Sequence, residues 1–89
     1  MLVLHLTTRF KRDVKQAAKR GKDIGKIENI IELLQAGQPV PARNRDHNLS
    51  GTWTHHRECH IEPDWLLIYR TDDEYLHLER TGTHADLFD

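Results

Sequence analysis

The chain has 89 residues, 37% of them hydrophobic and 30% charged, enough for one modest core and therefore a single domain over residues 1–89. Its lone cysteine, Cys59, excludes an internal disulfide and fits a reducing compartment. No apolar run approaches a membrane span, so the expectation is a cytoplasmic protein with no membrane partner.

A formal net charge of −1 conceals a split. Between Arg9 and Lys26 eight Lys/Arg stand against two Asp, whereas between Asp46 and Asp89 three Arg stand against ten acids. Such a basic stretch suggests a face turned toward a polyanion, although a solvated helix surface has the same composition.

Met1 to Leu6 is too short for the apolar core of a secretory leader and reads as a first strand. From Thr8 to Arg20, Phe10, Val14, Ala17 and Ala18 recur at helical spacing, with Thr7 or Thr8 as cap and Gly21 as stop. Lys11, Lys15 and Lys19 are the candidate RNA-binding cations of this helix. Asp23 caps a second helix, in which Ile24, Ile27, Ile30, Ile31 and Leu34 share one face and Gly37 ends the run. The pair forms an αα-hairpin whose apolar faces need a partner surface. Gln38 to Asn44, with Pro39 and Pro41, is a loop.

The remainder reads as strands. From His55 to Ile61, Arg57, Cys59 and Ile61 point one way, and His56, Glu58 and His60 the other. Glu62-Pro63-Asp64 is turn chemistry, and Trp65 to Tyr69 is apolar enough for a central strand. Thr71-Asp72-Asp73 turns the chain into a last strand, Tyr75 to Thr81, with Leu76 and Leu78 inward. The expected fold is α+β: an N-terminal strand and an αα-hairpin packed on one face of an antiparallel β-sheet.

Six of the seven histidines lie in the second half of the chain. His47 lies where the sheet begins, His60 ends its strand with Asp64 across the turn, and Arg80 ends the last strand ahead of His84. Whether these ends meet depends on strand order and register; antiparallel pairing, which returns alternate strand ends to one edge, favours it. Brought together, they suit metal-free phosphodiester cleavage. Imidazoles supply a base for a ribose 2′-hydroxyl and an acid for the leaving 5′-oxygen, and an arginine fork meets the phosphoryl charge. Trp65 or Phe88 offers a face for a splayed base, though large aromatics more commonly serve the core. Each histidine taken singly is more commonly a surface or structural residue, and Arg80 beside Glu79 reads equally as an ion pair. The segment from His55 to His60 has the composition of a metal cluster, but alternation sets His56 and His60 opposite Cys59, so no metal is expected.

Three motifs then narrow the reading: Asp-His-x-Leu-x-Gly-x-Trp from Asp46, Arg-x-x-His-x-Glu-Pro-Asp-Trp from Arg57, and Glu-Arg-Thr-Gly-Thr-His-x-x-Leu-Phe from Glu79. In this order, after a strand and a basic helix, they make the whole chain resemble the YafQ-type toxins of the RelE/ParE superfamily. The resemblance implies a RelE-like, microbial-ribonuclease-like fold and a type II toxin–antitoxin toxin whose antitoxin is encoded beside it. It further implies an endoribonuclease that enters the ribosomal A site and cuts translated mRNA without metal or cofactor. The family's catalytic positions fall on His47, His60, Asp64 and His84, its phosphate-side arginine on Arg80, and its supporting aromatics on Trp65 and Phe88. His47 or His60 is the expected base, with Asp64 orienting or replacing it, and His84 the acid. Because the catalytic half is acidic, binding is expected to come mainly from the first helix on ribosomal RNA. His55 and His56 stand outside the pattern. Two other readings compete: a topoisomerase-poisoning toxin of the same superfamily, which has no need of the imidazole set, and a non-catalytic module that docks RNA or protein.

Overall fold

Capping chemistry fixes where the helices start. The Thr7 hydroxyl accepts the Phe10 N–H (2.9 Å) and donates to the Glu79 carbonyl (2.8 Å), so one side chain both starts α1 (Thr8–Lys19) and ties it to the sheet. Asp23 accepts the Gly25 N–H and opens α2 (Ile24–Gln35); Gly21, at φ 82°, makes the left-handed turn between them. The computed structural model describes residues 1–88. Its strands are β1 (Val3–Leu6), β2 (His47–Asn48), β3 (Arg57–Glu62), β4 (Trp65–Thr71) and β5 (Tyr75–Gly82), followed by a short α3 (His84–Phe88). Single 3₁₀ turns occupy Ala42–Asn44 and Gly51–Trp53.

The five strands form one sheet in the order β1-β5-β4-β3-β2. The run from β2 to β5 is antiparallel, as the turn signals require. β1 differs: it lies parallel to β5, with Val3 opposite Tyr75 and Leu6 opposite Leu78. Short turns set the direction of every other strand, but the helical hairpin and three strands separate β1 from its neighbour, so docking alone decides its direction.

Both faces of the central strand are covered. Trp65, Leu67 and Tyr69 pack with Cys59, Leu76 and Leu78 against Phe10, Ala17, Ile27, Ile30 and Leu34 of the helices. Leu66 and Ile68 meet Leu87, Leu49 and Trp53 on the other face. This accounts for the unbroken apolar run of β4. No helix among the described residues is long and apolar enough to cross a membrane.

Local departures from the expected elements have local causes. His55 sits at φ 72° in a turn, so β3 begins at Arg57 rather than His55. The register shifts between His60 and Glu62, leaving Ile61 as an extra residue, and again where Glu79 is extra opposite Ile68 and Tyr69. Residues after Gly82 fold into α3, an element absent from the sequence reading. Thr83 and Asp86 bond each other's backbone N–H groups (3.0 and 3.1 Å), a reciprocal cap that starts it.

Candidate active site

β2 and β3 run side by side with His47 directly opposite Glu58, and alternation sets His60 on the same face as Glu58. The His47 Nδ1–H donates to the Arg45 carbonyl (2.6 Å), and the His60 Nδ1–H donates to the Pro63 carbonyl (3.2 Å). A carbonyl only accepts, so both rings carry hydrogen on Nδ1 and leave Nε2 for chemistry. Both Nε2 atoms turn to one oxygen of Glu58, His47 at 3.1 Å and His60 at 3.6 Å. Both imidazoles thus face the same carboxylate. Glu58 is buried, and its other oxygen, Oε1, has no partner. Asn44 donates to the His60 carbonyl (2.7 Å) and pins the strand end.

The third imidazole arrives from α3. Asp64, in the β3–β4 turn, accepts both the backbone N–H of His84 (2.9 Å) and its Nδ1–H (2.7 Å). Those hydrogen bonds, the backbone one first, hold the Asp64 carboxyl below the usual carboxylate range. His84 thus also presents Nε2. Its ring centroid lies 5.8 Å from that of His60, which lies 6.1 Å from that of His47, so the three imidazoles form a row. Phe88, 45% exposed, stands beside His84 at 6.2 Å.

The expected residues are thus partly gathered and partly redirected. His47, His60, Asp64 and His84 converge. Asp64 orients His84, however, and touches neither proposed base, because the turn carries it toward the start of α3. Trp65 is buried at 2% exposure, with its indole N–H donated to Thr81 (2.9 Å). It is part of the core and offers no face to a base, which corrects its reading as a substrate-binding residue. Arg80 meets Asp13 of α1 through Nε (2.7 Å) and Nη2 (3.2 Å), and lines a cleft of about 170 Å³ shared with Asp64. Lys11, Lys15 and Lys19 are exposed along α1, and none has an ion pair among the described residues. Glu58 was missed as a site residue, although its place two residues before His60 already put it on the same face. Burial raises the Cys59 thiol to about 12, so it stays un-ionised and outside the chemistry.

One group among the described residues has the spacing to hold a metal: His47, Glu58 and His60, whose donor atoms lie within 4.8 Å of one another. The segment suspected from composition does not supply it intact, since His47 comes from another strand.

Residues 2–89 match the family model of YafQ, bacterial toxins of type II toxin–antitoxin systems. The chain belongs to this family. It is 49% identical over 80 residues to the mRNA interferase toxin YafQ of Escherichia coli, covering 89% of this chain and 87% of the relative. A chain of the E. coli DinJ–YafQ toxin–antitoxin complex superposes with a TM-score of 0.92 at 44% identity, covering 99% of this chain and 98% of that one. A copper-bound mutant toxin from Helicobacter pylori gives a TM-score of 0.95 at 38% identity, covering 99% of this chain and all of that one (100%).

Proposed function

We propose that this type II toxin is an endoribonuclease, an mRNA interferase that cuts translated mRNA by internal attack of a ribose 2′-hydroxyl, with the His47–Glu58–His60 trio as base and His84 as acid. The observation that carries this reading is the row of three imidazoles, each with Nδ1–H committed to an acceptor and Nε2 left over. In the reaction, an Nε2 of the trio takes the 2′-hydroxyl proton and the freed oxygen bonds to phosphorus. The bond from phosphorus to the 5′-oxygen breaks, and His84 supplies that oxygen's proton from its own Nε2. Asp64 fixes the tautomer and direction of His84, as a carboxylate does for a catalytic histidine. Arg80 keeps Nη1 for a phosphoryl oxygen, and the exposed ring of Phe88 stacks a base.

The ribosome is the proposed site of action, in the cytoplasm, with Lys11, Lys15 and Lys19 on ribosomal RNA. An antitoxin encoded beside the toxin is the proposed protein partner, in keeping with the DinJ–YafQ complex of the E. coli relative. The donor set of His47, Glu58 and His60 also fits a transition metal, in keeping with the copper-bound H. pylori toxin. Held there, a metal would act as a Lewis acid or, by occupying both Nε2 lone pairs, withdraw the imidazoles from proton transfer. The second outcome is the one expected. Cleavage then survives chelation, provided enough magnesium remains to hold ribosomes together.

End-mapping on ribosome-bound mRNA tests the reaction. The expected upstream end is a 2′,3′-cyclic phosphate or its opened 3′-phosphate, and the downstream end a 5′-hydroxyl. A 2′-deoxy sugar at the cut site should block cleavage; 5′-phosphate products would overturn the mechanism.

A further inference from the structure

His47 rides on the weakest strand of the sheet. β2 is two residues long, lies at the edge, and follows Arg45, whose backbone is left-handed at φ 50°. Backbone pairing over two residues does not hold an imidazole to the tolerance that proton transfer requires. The side chains on either side of His47 supply what the backbone lacks. Asp46 accepts from Arg57 Nε (3.1 Å), and Asn48 accepts from Arg57 Nη1 (2.7 Å), so one guanidinium grips the residue before the histidine and the residue after it. The same Asp46 oxygen accepts the Tyr69 hydroxyl (2.6 Å), and the Tyr69 ring is 2% exposed in the main core.

We propose that Asp46, Arg57 and Tyr69 are positioning residues for His47, a bracket that couples the rigid core to the imidazole and holds its Nε2 against Glu58. The proposal rests on the reading of His47 as part of the reacting set. It goes beyond that reading because none of the three residues need touch RNA. A planar fork is required, since only a guanidinium presents two donors far enough apart to span Asp46 and Asn48. Tyr69 adds a short bond whose other end is immobile.

Single-turnover cleavage of ribosome-bound mRNA tests this, with Tyr69→Phe and Arg57→Lys as conservative variants and His47→Ala as reference. Tyr69→Phe keeps the ring in the core and removes only the hydroxyl. Its maximal rate should fall about tenfold, the usual loss when a supporting partner of a functional group is removed, while the half-saturating ribosome concentration stays within about twofold. Arg57→Lys should do the same. In a His47→Ala background, Tyr69→Phe should cause no further loss, since its effect passes through an imidazole no longer there. The Nδ1–H proton of His47, bonded to the Arg45 carbonyl, should give a slowly exchanging resonance that Tyr69→Phe broadens or erases. An unchanged rate in both conservative variants beside an inactive His47→Ala sinks the bracket alone. Equal losses from Tyr69→Phe with and without His47 also overturn it, showing a general effect on structure. A His47→Ala protein that cleaves normally overturns the assignment of His47 itself.

Discussion

A single oxygen of Glu58 faces two imidazoles of the proposed reacting set. Replacing Glu58 by Gln keeps the size but removes the carboxylate charge that both Nε2 atoms face. Single-turnover cleavage should fall by about two orders of magnitude, within the range for removal of an acid–base group, with ribosome binding little changed. His84→Ala should lose roughly two to four orders of magnitude in the same assay. His55 provides the contrast: it is exposed, left-handed and outside the row, so His55→Gly suits its backbone and should retain full activity with the fold intact by circular dichroism. Equal losses in His55→Gly and His84→Ala would show that the row is not the site.

The proposed binding cations and the proposed reacting groups sit on different elements, and this separates their mutants. Reversing Lys11, Lys15 and Lys19 of α1 to Glu should weaken ribosome association and flatten its salt dependence, because each lost phosphate contact removes one counterion's worth of slope. At saturating protein the cleavage rate should remain, since no reacting group lies on α1; a rate that falls at saturation would place α1 in the chemistry. The same elements show how far sequence alone reaches. Both helices were readable because Thr7, Asp23 and Gly21 carry start and stop chemistry and the apolar residues keep a helical period. Alternation in β3 put Cys59 with the helices and His60 on the other face. Other features depend on contacts between residues far apart in the chain. The extra residue at Glu79 shifts the register of β5, and no local signal marks it. Arg80 commits two of its nitrogens to Asp13, 67 residues earlier, a pairing that no local signal marks. Asp64 reaches His84 rather than the nearer His60 because α3 forms, and α3 was hidden in what read as a bend after the last strand.

At the scale of the molecule, the charge split serves the fold. Arg20 pairs with Asp86, Lys22 and Lys26 share Glu62, and Arg80 takes Asp13, so basic and acidic halves are joined to each other. Four carboxyls in contact with such donors, Asp72, Asp86, Glu62 and Asp64, are held below their usual values. The His77 hydrogen bond, then the Glu74 and Tyr75 backbone N–H groups, lower Asp72 from 3.8 to about 2. Arg20 also lowers Asp86, Lys22 lowers Glu62, and the His84 backbone N–H lowers Asp64. A carboxyl whose pKa is lower in the folded state contributes stability above its unfolded value and loses it as pH falls through the folded one. Stability should therefore be level through neutral pH on account of these acids and fall from about pH 4 toward pH 2. Urea unfolding followed across that range measures it, and a stability that rises in acid would contradict these couplings. Because these pairs, Arg80–Asp13 apart, are at least partly open to solvent, high salt should remove only a little stability.

The parallel pairing of β1 with β5 joins the first strand made to the last. While the chain is being synthesised, β1 and the basic helix emerge early but have no neighbouring strand until residues 75–82 follow. Contacts so distant in sequence form late in folding. His84 leaves later still, after the strand that closes the sheet. The proposed imidazole row is therefore assembled only after β5 has closed the sheet, because His84 follows that strand in the chain.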